Sequence, residues 1–271
     1  MSTEIIAFRK KHPIVEAVEG TQPSGCAAPV LDEEPNGVGR WLVASIGRDH
    51  PVRTFLVGVF LSFVSVAGLS ILLGLLVTRV IVRDGGISGA DESLVRVLSH
   101  HRSSGLTSAS LIGSIMAGGV VLPIVVGVCG LFAALFKQWR VGVFLIFALG
   151  LESGAYRVTT LLVPRHRPEV HRLESLPVNA SYPSGHTAAA IAVYCGLALL
   201  LTSRISTLAP RIFIWAAAAT IPVYVAFARM YRGMHHPLDV FGGVVIGVAA
   251  LTAMVLVCRA TGLARAERNG R

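Results

Sequence analysis

The chain has 271 residues, of which 53% are apolar and only 14% charged, and its mean hydropathy is +0.67. Soluble domains average about 45–50% apolar and about 25% charged, so the composition excludes a disordered chain, argues against an ordinary soluble domain and predicts one bundle of membrane helices. The formal charge of +9 comes from short basic segments between apolar runs. It fits loop charge flanking a membrane better than a nucleic-acid surface. Residues 1–53 form a polar tail broken by Pro13, Pro23, Pro29 and Pro35. They lack the apolar stretch of a cleavable signal peptide. Arg9, Lys10, Lys11, Arg40, Arg48 and Arg53 mark this tail as cytoplasmic.

A membrane-spanning helix needs about 20 mostly apolar residues. The first predicted span runs from Thr54 to about Val82, and Arg83 to Gly105 is expected as a linker carrying His100 and His101. Leu106 to Phe136 is too long for one upright helix. Gly118, Gly119 and Pro123 divide it, which predicts a short re-entrant or interfacial piece and then a span from about Gly119. Four further spans are expected over Trp139–Val163, His186–Thr202, Pro210–Ala228 and Leu238–Cys258. The expected fold is therefore all-α, an integral membrane bundle of about six transmembrane helices over residues 54–258. A basic cytoplasmic tail follows over 259–271. With both termini inside, the inner segments hold the larger share of Lys and Arg, the usual cytoplasmic bias. Cys26, Cys129, Cys195 and Cys258 form no C-x-x-C pair and are expected as small buried hydrophobes.

Chemistry-bearing residues cluster in three places. One is Val163-Pro164-Arg165-His166-Arg167-Pro168, after the third span. Another is Tyr182-Pro183-Ser184-Gly185-His186-Thr187, at the start of the fourth. The last runs from Ala228-Arg229 to His235-His236-Pro237-Leu238-Asp239, between the fifth and sixth. Crossing the membrane and returning puts His186 and His235 at one face, with Arg167 beside them. Guanidinium groups hold phosphate by paired, charge-assisted hydrogen bonds. Ser184-Gly185-His186 opens a helix whose amides and positive end suit an anion. Asp239, four residues after His235, can accept a hydrogen bond from one imidazole nitrogen and leave the other nucleophilic. His186 can protonate a leaving oxygen. The pattern points to phosphoryl transfer, and these segments contain no metal-ligand cluster.

These motifs resemble the type 2 phosphatidic acid phosphatase (lipid phosphate phosphatase) superfamily. Its signature is Lys, six residues, Arg-Pro; then Pro-Ser-Gly-His; then Ser-Arg, five residues, His, three residues, Asp. The second part is complete at Pro183 to His186. The third matches at Arg229, His235 and Asp239, with Ala228 in place of the serine. The first matches at Arg167-Pro168, with Thr160 where the lysine stands. The resemblance implies His235 as a nucleophile forming a phosphohistidine, Asp239 orienting it and His186 as general acid. It implies Arg167, Arg229, Ser184 and the Gly185 amide as phosphate ligands, and no metal or other cofactor. Arg165, in the same loop as Arg167, is expected to replace the missing lysine charge, with Arg157 the other choice. The implied partners are the bilayer and a membrane lipid phosphate: polyprenyl diphosphate, phosphatidic acid or phosphatidylglycerophosphate.

Other residues carry plainer expectations. Arg232 is expected to anchor a helix at headgroups. His166, His171, His100 and His101 are expected as loop residues, and His236 as a bystander of the nucleophile. Glu152, inside the third span, is expected to pair with Arg157. Gly243-x-x-x-Gly247 is expected to let helices pack closely within the bundle. Two alternatives use the same residues: a phosphotransferase passing the phosphoryl group to another alcohol, and a degenerate lipid binder, for which Thr160 and Ala228 speak.

Overall fold

The computed structural model describes residues 28–32, 40, 43–45, 50–83 and 85–270; most of the polar N-terminal tail lies outside them. In a bilayer every backbone N–H and C=O must be satisfied within the protein, so long apolar runs become helices. Helix α1 is Pro51–Arg79, continued by a 3₁₀ turn at Ile81–Arg83. Pro51 stands in its first turn, where the missing N–H costs nothing. Then come α2 (Gly85–His100), α3 (Ser104–Met116), α4 (Val121–Leu135) and α5 (Trp139–Leu162). Helix α6 is Gly185–Thr202, with a π-turn at Ile191–Cys195. Helices α7 (Leu208–Tyr231) and α8 (Pro237–Asn269) complete the bundle.

Five of these, α1, α5, α6, α7 and α8, are long and apolar enough to cross a membrane. Helices α3 and α4 meet at 47° and make a sixth span if counted together. The expected all-α membrane bundle is therefore what the chain forms. The break falls at Gly118-Gly119 as the sequence implies, with the Gly118 amide closing a turn on the Ile115 carbonyl at 2.9 Å. The halves differ from expectation: they have 13 and 15 residues, so neither crosses alone. Two further differences concern length. The expected linker contains α2, and α8 runs on past Cys258 to Asn269.

Small residues set the packing. A Cβ at Gly243 would lie 2.5 Å from the Ser184 carbonyl oxygen, and one at Gly247 2.7 Å from that of Ala188. The Gly-x-x-x-Gly pair thus does what was expected, drawing α8 against α6. Tyr182 is fully buried, in a slot between α1 and α8 that exists because Gly74 and Gly242 have no side chains. A Cβ at either would fall within 2.6 Å of its ring. Beneath lies a core that includes Phe144, Leu145, Ile246 and Met254. Phe60, Leu72, Leu131 and Phe213 are exposed, as lipid-facing side chains must be. The 163–184 loop, the start of α6 and the turn from α7 to α8 share one end of the bundle.

Candidate phosphate site

Helix α8 opens with a capping box. The Asp239 carboxylate takes the His236 backbone N–H at 2.8 Å, and His236 Nδ1 lies 3.2 Å from the same oxygen. That oxygen also accepts from Ser181 Oγ at 2.5 Å, and the other accepts from Arg165 Nη1. His235 does not reach this carboxylate as the spacing suggested: its Nδ1 is 3.9 Å from Asp239. It lies instead 2.7 Å from the Ser181 carbonyl oxygen. The intervening capping contacts consume the carboxylate. A carbonyl only accepts, so Nδ1 carries the proton and Nε2 keeps its lone pair. Burial, and then Arg229 and Arg167, push the His235 imidazole well below its ordinary pKa. Asp239 and His186 act on it as well, so these groups converge.

Arg229, at the end of α7, is wholly buried. Its Nη1 donates to Ser114 Oγ at 2.5 Å and to Glu174 at 2.7 Å. Among the described residues its Nε and Nη2 have no hydrogen-bond partner. Arg167 is held by carbonyls: Nε donates to Pro177 at 2.9 Å, Nη2 to Ala180 at 2.7 Å and Nη1 to Met234. Burial first, and then Arg229, bring it down to about 10. Arg165 is placed differently from the expected phosphate ligand. Its Nη2 donates to Asp91 at 2.5 Å and its Nη1 to Asp239. Asp91 comes from α2, which also caps α8 by accepting from the Leu238 amide at 3.0 Å.

Ser184 donates its amide to the Asp239 carbonyl at 2.9 Å, and its hydroxyl lies 3.0 Å from Thr187 Oγ1. Gly185 and His186 begin α6, where the first amides have no intrahelical acceptor and suit an anion. The Tyr156 ring packs so closely that a Cβ at 185 would sit 3.0 Å from it and would have to displace the ring slightly. Thr160, at the lysine position, has a buried hydroxyl with no partner among the described residues.

Several plainer expectations change. Arg232 is buried and not at headgroups: it donates to Glu174 at 2.5 Å and to Ser110 at 3.2 Å. His236 is no bystander, since its Nε2 lies 3.0 Å from Glu92 while Nδ1 faces Asp239. Glu152 is buried, one of its carboxyl oxygens has no partner among the described residues, and Arg157 is exposed, so the expected pair does not form. His166 and Arg167 line an adjoining cavity of about 700 Å³, with Asp91 and Glu92. Among the described residues no group of three or more His, Cys, Asp or Glu is placed to hold a metal ion. Sequence patterning leaves out Asp91, Glu174 and Ser181, whose partners come from distant segments.

The fold is an all-helical bundle of five or six candidate spans, with buried histidines and arginines gathered at one end. Residues 139–262 match the PAP2 superfamily, the family the chain's motifs resemble. Phosphatidylglycerophosphatase B of Bacillus subtilis (strain 168) is 26% identical over 66% of this chain and 88% of its own length. Undecaprenyl-diphosphatase of Sulfolobus acidocaldarius is 32% identical over 42% of this chain, which spans about half (53%) of that relative. The crystal structure of a transmembrane PAP2-type phosphatidylglycerolphosphate phosphatase from Bacillus subtilis shares the fold. Its TM-score is 0.59 at 22% identity, over 73% of this chain and 92% of its own.

Proposed function

We propose that this PAP2-type membrane phosphatase hydrolyses a lipid phosphate through a phosphohistidine on His235, without a metal. The observation that carries the proposal is a buried, neutral imidazole with Nδ1 on a carbonyl, beside the unpartnered Nε and Nη2 of Arg229. Phosphate oxygens would take that edge of Arg229, the remaining N–H of Arg167, and the Gly185 amide with the Ser184 hydroxyl. The His235 Nε2 lone pair forms an N–P bond as the P–O bond to the lipid breaks, and His186 gives its proton to the leaving oxygen. His186, now neutral, takes a proton from water. The water oxygen bonds to phosphorus, the N–P bond breaks and inorganic phosphate leaves. The arginines stabilise the equatorial oxygens throughout. Arg165 acts here by holding Asp239, which in turn holds Ser181.

The relatives' names favour phosphatidylglycerophosphate and a polyprenyl diphosphate as substrates, with phosphatidic acid as the simplest monoester. Both termini would lie in the cytoplasm of a bacterial inner membrane, with the site on the outer side; the Lys and Arg bias supports the orientation. The test is phosphate release by the purified protein in detergent with EDTA, offering the three lipids in parallel, with His235→Ala as control. Release by the wild type alone, with ³²P trapped on protein in an acid-labile, base-stable form, is expected. Release that continues in His235→Ala, or that requires added divalent metal, would overturn the mechanism.

A further inference from the structure

Glu174 lies in the loop between α5 and α6, ten residues or so before the helix that carries His186, and belongs to none of the three motifs. Its Oε2 accepts from Arg229 Nη1 at 2.7 Å. Its Oε1 accepts from Arg232 Nε at 2.5 Å and from Ser114 Oγ at 2.8 Å. Ser114 in turn accepts from Arg229 Nη1 at 2.5 Å. One corner of the Arg229 guanidinium is thus gripped by a carboxylate and a hydroxyl. The opposite edge, Nε with Nη2, is buried and has no hydrogen-bond partner among the described residues.

That division of the guanidinium is informative. Arginine binds phosphate best through two parallel N–H groups, and the Nε/Nη2 edge is such a pair. The group is planar, so pinning Nη1 on two acceptors fixes where the opposite edge points. Leaving two buried donors unsatisfied is costly unless something else takes them. A phosphate on that edge and Glu174 on Nη1 do not compete for the same hydrogens. Glu174 also sits between Arg229 and Arg232, whose like charges would otherwise separate. Burial alone would raise its carboxyl, but Arg229 and the hydrogen bonds from Arg229, Ser114 and Arg232 hold it at about 2. It therefore stays ionised throughout the range in which the protein works.

We propose that Glu174 is a positioning residue: with Ser114 of α3, it turns the Nε/Nη2 edge of Arg229 toward the phosphate before substrate arrives. The inference rests on the phosphatase assignment above. In the full chain, Glu174→Gln keeps one acceptor but turns an amide N–H₂ toward a guanidinium, so Arg229 loses its fixed pose. Hydrolysis of a short-chain phosphatidic acid and its inhibition by orthovanadate, a tetrahedral oxyanion, report that pose. In Glu174→Gln, kcat/KM should fall about 10- to 100-fold, and the vanadate inhibition constant should rise by a similar factor of about ten or more. Glu174→Asp should recover part of both. Should Glu174→Gln not stay monodisperse, Ser114→Ala decides by the same readouts, with an expected change of about three- to tenfold.

Wild-type activity with vanadate binding unchanged or tighter in the variants would overturn this inference alone, showing Glu174 to be a loop staple or a competitor of phosphate. A wild type with no activity on any lipid phosphate would instead remove the assignment beneath it.

Discussion

Asp239 is expected to contact His235, and its hydrogen bonds go elsewhere. Its spacing to His235 suits a direct hydrogen bond, but its oxygens are taken by His236, Ser181 and Arg165, and His235 turns to the Ser181 carbonyl. Asp239 therefore governs His235 through Ser181. In a directly coupled triad, the Asp→Asn change costs about 10⁴-fold in turnover. Asp239→Asn here should cost distinctly less in kcat, about 10²-fold. It should also lower stability by about 3 kcal/mol, because Arg165 loses one of two buried carboxylates. Denaturation and steady-state kinetics on the same preparation would separate the two effects, and a loss as large as that of a direct triad would restore the simpler relay. His235 also predicts a pH dependence. Its folded pKa is depressed, so the unfolded chain binds more protons below the ordinary value of 6.5. The stability this site contributes should be complete above about 6.5 and decline as pH falls toward the folded value. Melting temperatures of wild type and His235→Gln between pH 5 and 8 should diverge at the alkaline end and converge at the acidic end. The motif residues were legible because each has a fixed spacing to its neighbours. Asp91 and Glu174 were not, because a lone carboxylate in a linker or loop declares no partner until the helices bring one to it.

The spans were legible because lipid demands long apolar runs; apart from the end of α8, which runs on to Asn269, the expected limits of the five long spans differ from the helices by a few residues. Helix α2 was not. Gly85, Gly86 and Gly89 beside Asp91 and Glu92 read as a linker, and only the recurrence of Ile87, Leu94 and Leu98 at helical spacing hints otherwise. The glycines of α8 make helix packing testable. Gly243→Ala must push the Ser184 backbone away, and Ser184 begins the proposed phosphate-binding segment. It should lower stability by about 1–3 kcal/mol and reduce phosphate release as well. At Gly127 in α4, by contrast, an added Cβ would meet nothing within 4 Å. Gly127→Ala should be neutral or stabilising by up to about 1 kcal/mol. Melting curves in one detergent would compare them, and equal effects from both would mean that α8 and α6 do not depend on that close approach.

Across the whole molecule, the buried charges are neutralised between segments far apart in sequence. Arg165 meets Asp91, His236 meets Glu92, and Arg229 and Arg232 share Glu174 while touching α3 through Ser114 and Ser110. The family match covers 139–262, which holds every motif residue, yet Asp91, Glu92, Ser110 and Ser114 all precede it. The matched portion should therefore fail to fold on its own. Expressed alone, residues 137–271 would keep Asp239 and Glu174 but leave Arg165 without Asp91 and His236 without Glu92, and removing one partner of a buried pair costs about 3–5 kcal/mol. Such a fragment should aggregate or be degraded. Supplying residues 1–136 as a separate chain should rescue it, as a split protein reassembling around its own counter-charges. The same rescue should weaken when the supplied half carries Asp91→Asn. If so, the front half of this protein would be less an anchor than a chaperone bound for life to the half that carries the motifs.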